Sequence, residues 1–245
     1  MPPRKRDTVY QNPLAELTDF SFDREVVSVF EDMINRSVPS YASIVHRLTY
    51  LAEKFGQDNS ACYDLGCSLG ASTLAMRKGL QQKENVQLFS IDASADMIKR
   101  AQQYIQQDPH PTPVTFLQED IRSSKINNAS MVVLNFTLQF LPLKDRDQLI
   151  QTIYAGMNAG ACLVLSEKVR FDENKVQEII TDLHHQFKRE QGYSDLEFAQ
   201  KRDAIENVMK LETQDQHIKR LQSSGFTQAT QWHQNTAFCS FLAIK

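Results

Sequence analysis

The chain has 245 residues, 41% of them hydrophobic and 23% charged, with a formal net charge of −3. That apolar fraction excludes a disordered chain, and the longest apolar run, Ala161–Leu165, is too short to span a membrane. Only 8 glycines occur and they follow no period, which excludes collagen-like and repeat architectures.

The opening residues carry charge but no apolar stretch, which argues against a secretory signal and predicts a cytoplasmic protein. Arg4-Lys5-Arg6 is the one dense basic patch and reads as a frayed, solvated tail. Asp23 is placed to cap a helix running through Arg36, with Val26, Val27, Phe30 and Ile34 near helical spacing. A second helix follows Pro39-Ser40, its apolar stripe being Ile44, Leu48, Leu51 and Phe55, with Gly56 at its end.

From residue 60 the pattern alternates. Strands are expected at Ala61–Leu65, Val86–Ile91, Val114–Leu117, Ser130–Asn135 and Cys162–Ser166, with helices at about 71–81, 94–107 and 144–158. Short apolar strands between amphipathic helices imply a parallel sheet covered on both faces. Two long polar helices, roughly 172–190 and 194–208, then break the alternation, and a third follows at 213–224. Phe226–His233 and Phe238–Ile244 read as a closing antiparallel hairpin. The expected fold is α/β: a doubly wound, mostly parallel seven-stranded sheet in a single domain. Its parts are N-terminal helices (1–59), an α/β core (60–168), a helical lid or insertion (169–224) and the hairpin (225–245).

Cys62, Cys67, Cys162 and Cys239 form no CxxC pair and read as reduced, mostly buried small apolar residues. The negative net charge argues against direct nucleic-acid binding. No HExxH signature is present, and His184-His185, adjacent on a predicted helix, point in different directions and read as surface or satisfied histidines. No metal is expected.

The segment Tyr63-Asp64-Leu65-Gly66-Cys67-Ser68-Leu69-Gly70 runs from the first strand into a helix. In a doubly wound fold, ligands bind beyond the carboxyl ends of the strands. Gly66 allows the turn and a close ligand approach, and Gly70 allows tight helix–strand packing. Asp92 ends the second strand, where a carboxylate accepts hydrogen bonds from ribose hydroxyls. Glu119-Asp120-Ile121 follows the third strand, within reach of an adenine, and Asn135 ends the fourth at the floor of the same crevice. Together these strand ends point to an adenosine-containing ligand. The dinucleotide fingerprint GxGxxG is absent, which disfavours NAD.

The loop resembles that of class I S-adenosylmethionine-dependent methyltransferases, with Ser68 where a middle glycine is usual. A narrower resemblance covers nearly the whole chain. Residues 63–70, Met131–Leu141, Leu165-Ser-Glu-Lys168, Arg36-Ser-Val-Pro39, Gln200-Lys-Arg202 and Glu206-Asn-Val-Met209 are similar to the carboxy-S-adenosyl-L-methionine synthase family. The resemblance implies that S-adenosyl-L-methionine and prephenate are converted to carboxy-S-adenosyl-L-methionine and phenylpyruvate, through a methyl ylide that captures carbon dioxide. It implies a homodimer, and a downstream enzyme that uses the product on the wobble uridine of tRNA. It also implies cofactor contacts at Tyr41, Gly66, Cys67, Ser68, Asp92, Ala93, Asp120, Ile121 and Asn135. Arg202 is implied as the catalytic residue that holds the new carboxylate, reaching the site as a lid or from a second subunit. Two other readings compete: a conventional methyltransferase acting on a small molecule, and a non-enzymatic module that binds S-adenosylmethionine. The sequence Asn135-Phe136-Thr137-Leu138 lacks the Asn-Pro-Pro-aromatic tetrapeptide of N-methylation, which weakens the first of them.

Overall fold

A computed structural model describes residues 6–11, 24–206 and 208–245. The proposed cap Asp23 and Asn207 of the late string lie outside the described residues.

Two helices, α1 (Arg24–Ser37) and α2 (Tyr41–Phe55), precede the sheet. The core then alternates β1 (Ala61–Leu65), α3 (Ala71–Gly79), β2 (Gln87–Asp92), α4 (Ala95–Gln107), β3 (Val114–Gln118), β4 (Ala129–Asn135), α5 (Leu143–Gly156) and β5 (Met157–Lys168). Helices α6 (Asn174–Glu190), α7 (Asp195–Glu206) and α8 (Gln214–Ser223) follow, and β6 (Gln228–Asn235) with β7 (Phe238–Ile244) closes the chain. The strands form one seven-stranded sheet in the order β3-β2-β1-β4-β5-β7-β6. The first five strands are parallel, and β7 runs antiparallel to both β5 and β6. The expected doubly wound sheet with a reversed hairpin is therefore what forms.

The apolar runs are continuous because both sheet faces are covered. Met131 and Val133 of β4 join Cys62, Cys162 and Val164 under Leu48 and Ala52 of α2, Met76 of α3 and Leu80 just past its end. Their neighbours Val132 and Leu134 pack on the opposite face with Leu163, Leu165 and Phe241, beneath Leu149, Ile150, Ile153 and Leu221 of α5 and α8. Alternation by two thus divides one apolar strand between two cores. All four cysteines are buried and free, as expected.

β5 is longer than the Cys162–Ser166 expected from its apolar residues, spanning 12 residues. The extension includes Glu167 and Lys168, whose backbones pair with Cys239 and Phe238 of β7. Pairing in the ladder, rather than side-chain apolarity, makes them strand. Of the basic run expected to be a solvated tail, Arg4 and Lys5 lie outside the described residues and Arg6 is exposed, its guanidinium donating to the carbonyl of Gly192 at 3.3 Å, while the residues just after it are packed. Asp7 is 2% exposed, its amide donates to Asp32 Oδ2 at 2.8 Å, and Tyr10 is buried against α1 and α7 in a small apolar cluster. No helix among the described residues is long and apolar enough to cross a membrane.

Candidate active site

β1 pairs with β2 on one side and β4 on the other, so the connections leaving it diverge and open a crevice at its carboxyl end. A cavity of about 530 Å³ lies there, within the usual range for a small-molecule site. The strand ends form its floor. Its other walls come from α1, through Phe30, Met33 and Ile34, and from α6 and α7.

The β1–α3 loop is fastened to the end of β2. Gly66 and Cys67 both donate to the carbonyl of Ile91, at 2.8 and 2.9 Å, and the Ser68 amide donates to Asp92 Oδ2 at 2.8 Å. The other oxygen, Asp92 Oδ1, accepts from the Ser94 amide at 2.9 Å. Gly66 has φ +79°, and a β-carbon there would come 2.3 Å from the Thr137 side chain, so both conformation and space require glycine. Gly70 is also left-handed, at φ +82°, but its close neighbour is Ala101 of α4 at 3.3 Å. The expected helix–strand contact is in fact helix against helix. Ser68 itself sits at φ +48°, the region in which a glycine carries no penalty. Its Oγ donates to Met97 Sδ at 3.3 Å. Gly66–Gly70 is spelled G-x-S-x-G, like a nucleophile elbow, yet among the described residues no histidine is hydrogen-bonded to Ser68.

The structure brings the sequence-predicted residues together. Tyr41, Gly66, Cys67, Ser68, Asp92, Ala93, Asp120, Ile121, Asn135 and Arg202 all line this cavity. Arg202 does so within its own chain, on the α7 wall, with Nε and Nη2 bonded to Asp203 Oδ1 at 3.0 and 2.9 Å. Asp120 is gripped by Arg122, which donates to both carboxylate oxygens, and these hydrogen bonds hold its carboxyl below the usual carboxylate range.

Two buried acceptors stand without partners beside the loop. Asn135 donates through Nδ2 to Ser72 Oγ at 3.3 Å, but its Oδ1 has no hydrogen bond, and neither has Asp64 Oδ1. Burial pushes the Asp64 carboxyl up to about 7, although Thr73 Oγ1 donates to it at 2.6 Å. Orphaned buried acceptors are costly, and a ligand that brings ammonium donors relieves them. The cradle and the acceptors therefore fit the amino-acid portion of S-adenosyl-L-methionine.

Residues to which the sequence reading gave no ligand role also line the cavity. His184 is 6% exposed, hydrogen-bonds the carbonyl of Ser37 at 2.8 Å and packs edge-on against Phe238. It is a satisfied histidine, which burial pulls down to about 3 and keeps neutral. His185 lies against Phe198, so the adjacent pair shares the cavity despite pointing apart. Lys168, Lys188 and Lys201 join them, making this wall cationic. On a polar helix Lys188 has no sequence signal that separates it from solvated lysines.

Comparison with known proteins agrees with this geometry. Residues 63–160 match a family described as methyltransferase domain. A carboxy-S-adenosyl-L-methionine synthase from Idiomarina loihiensis is 48% identical over 98% of this chain and 99% of its own length. The synthase of the same name from Geobacter sp. is 49% identical, covering 99% of each chain. This chain belongs to the carboxy-S-adenosyl-L-methionine synthase family. Its fold is shared with an O-methyltransferase family protein from Burkholderia thailandensis, with a TM-score of 0.64 at 13% identity over 91% of this chain and 60% of that one. The synthase is thus built on a methyltransferase scaffold.

Proposed function

We propose that this synthase converts S-adenosyl-L-methionine and prephenate to carboxy-S-adenosyl-L-methionine, phenylpyruvate and water. One observation carries the reading: a single cavity joins a nucleoside-type cradle on the strand ends to a cationic wall on α6 and α7. A methyl acceptor needs no such concentration of positive charge, whereas a dicarboxylate substrate and a carboxylated product do. The balance is complete without a further reactant. Prephenate breaks its ring–carboxylate bond, releasing carbon dioxide, and the electron pair aromatises the ring while hydroxide leaves. That hydroxide takes one methyl proton, and the resulting carbanion next to sulfur bonds to the carbon dioxide. Buried walls keep bulk water from competing for the carbanion.

In this reading Arg202 holds the new carboxylate, because its planar fork offers two parallel donors where lysine offers a point charge. Incubating the protein with both substrates is expected to yield the carboxylated cofactor by mass spectrometry. Accumulation of demethylated cofactor alone would instead establish a conventional methyltransferase. Arg202→Lys is expected to lower carboxylated product by about 10- to 100-fold, the worth of a charged hydrogen bond, while plain-cofactor binding stays unchanged. Equal product from the variant would remove Arg202 from the reaction, whereas a wild type that binds S-adenosyl-L-methionine but forms no product would favour a binding-only module.

A second copy of the chain is the partner assigned to the exposed apolar stripe on α6. Val176, Ile179 and Leu183 are 40, 51 and 45% exposed at helical spacing, with Leu196 of α7 nearby in sequence at 42%. Light scattering is expected to give twice the chain mass for the wild type and the chain mass for Leu183→Glu. A monomeric wild type would leave the stripe without this role. The product is assigned to a downstream cytoplasmic enzyme acting on tRNA, while this chain, with its negative net charge, contacts no nucleic acid.

A further inference from the structure

Among the cavity's cations, Lys188 stands apart. Lys201 is offset: its Nζ donates to Ser37 Oγ at 2.9 Å and lies 3.5 Å from Asp7 Oδ2, which also accepts from Tyr193 Oη. Lys188 is only 8% exposed, and among the described residues its ammonium has no hydrogen bond or ion pair. Its contacts are aromatic, 4.7 Å to the Phe198 ring centre and 5.9 Å to that of Tyr193. Lys201 lies 5.2 Å from the same Tyr193 ring, so the two ammonium groups flank one aromatic wall.

An unpaired ammonium in such a place is costly to keep, and an incoming anion relieves that cost. We propose that Lys188, supported by Lys201, is the binding residue for a carboxylate of the substrate that donates the carboxyl group. Arg202, further along α7, is left to the carboxylate formed on the cofactor. The proposal rests on the reaction assigned above.

The surrounding titratable groups agree in sign. Burial, together with Lys201 and Lys168, pulls the Lys188 ammonium well below the usual lysine range, with Asp7 the opposing charge. His184 faces the same space as a neutral ring, and Asp7 is already committed to Lys201 and Tyr193. An entering carboxylate is the group that restores charge balance there.

The test uses the full chain with prephenate varied at saturating S-adenosyl-L-methionine. Lys188→Gln is expected to raise the prephenate KM by about 10- to 100-fold, the effect of one charged hydrogen bond. The cofactor Kd should stay unchanged, and Lys188→Arg should recover most of the affinity. Lys188→Met, which keeps the stem packed on Phe198, is the second variant should the glutamine disturb folding. An unchanged KM with a reduced kcat would overturn the subsite and point to proton transfer. If the wild type forms no carboxylated product, the assigned reaction fails. Prephenate Kd values by calorimetry then judge the subsite by itself: tighter binding to wild type than to Lys188→Gln sustains it, and equal or undetectable binding overturns it.

Discussion

Replacing Asp92 by asparagine is expected to weaken S-adenosyl-L-methionine binding by two to four decades. The carboxylate receives the amides of Ser68 and Ser94, one on each oxygen, which fixes both oxygens at the cavity edge and leaves each a second lone pair for ribose hydroxyls. Each hydrogen bond to a charged group is worth about 1.5–3 kcal/mol, so two lost together cost about 3–6 kcal/mol. Asparagine also turns a donor toward one of the two amides, which loosens the loop that shapes the site. Burial raises the Asp92 carboxyl above the usual range while the amides of Ser94 and Ser68 oppose that rise, a balance a bound ribose shifts further toward the anion. Isothermal titration of wild type and variant decides the matter. A change of less than about threefold would place the ribose elsewhere, since that corresponds to well under one charged hydrogen bond.

The largest effect on stability is expected at Arg146. It is fully buried, and its guanidinium donates to Glu212 Oε2 at 2.5 Å and to the carbonyls of Gln139, Leu141 and Lys210. It thereby joins α5 to the chain entering α8 and to the turn that carries Gln139 and Phe140 on the cavity wall. Removing one partner of a buried ion pair costs about 3–5 kcal/mol, because the other charge and the carbonyls are left unanswered. Arg146→Met should lower the melting temperature by roughly 6–20 °C for a chain of this size.

The loss should depend on pH, with a definite sign. Burial alone raises the Glu212 carboxyl, but hydrogen bonds from Arg220 and Arg146 outweigh it, and its folded pKa lies below the ordinary value. A depressed carboxylate contributes stability above its unfolded pKa, near 4.3, and loses it as pH falls through the folded pKa. Glu167 has the opposite sense: burial pushes it up to about 8, against the pull of Arg146, so its ionisation costs stability as pH rises from about 4.3 to about 8. Both effects make Arg146 worth more at neutral pH than in acid. Melting curves at pH 4 and pH 8 should show the gap between wild type and Arg146→Met widening with pH. A gap independent of pH would mean that the arginine acts through its carbonyl contacts alone.

These two residues divide the work of the site. Asp92 belongs to the strand ends, the part of the scaffold shared with methyltransferases. Arg146 braces the Gln139–Leu141 turn from below, and Glu167 Oε1 accepts from the Leu138 amide at 3.0 Å in the same region. The helical wall above, from α6 and α7, carries the lysines and the arginine to which the proposed reaction assigns its carboxylates.

Strand and helix positions in the core were legible because apolar period and turn residues report local geometry. β1 has the boundaries that its five residues Ala61–Leu65 predict, and the loop after it, with Asp92 and Asn135, follows from strand order. Arg202 was legible only through resemblance, since an exposed arginine on a polar helix has no periodic signature. Glu167 and Lys168 were missed as strand because their pairing partners lie some seventy residues later, on β7. His184 and Lys188 were missed as cavity residues for a related reason. Their helix is polar along much of its length, and burial came only when α6 folded over α1 and the strand ends. A sequence of this kind determines which segments become strands and helices, and it determines the glycine-framed loop, because those depend on neighbours within a few residues. Tertiary structure alone decided which lysines lost their water and which carboxylates were raised or lowered, because burial and charge are set by groups far apart in the chain.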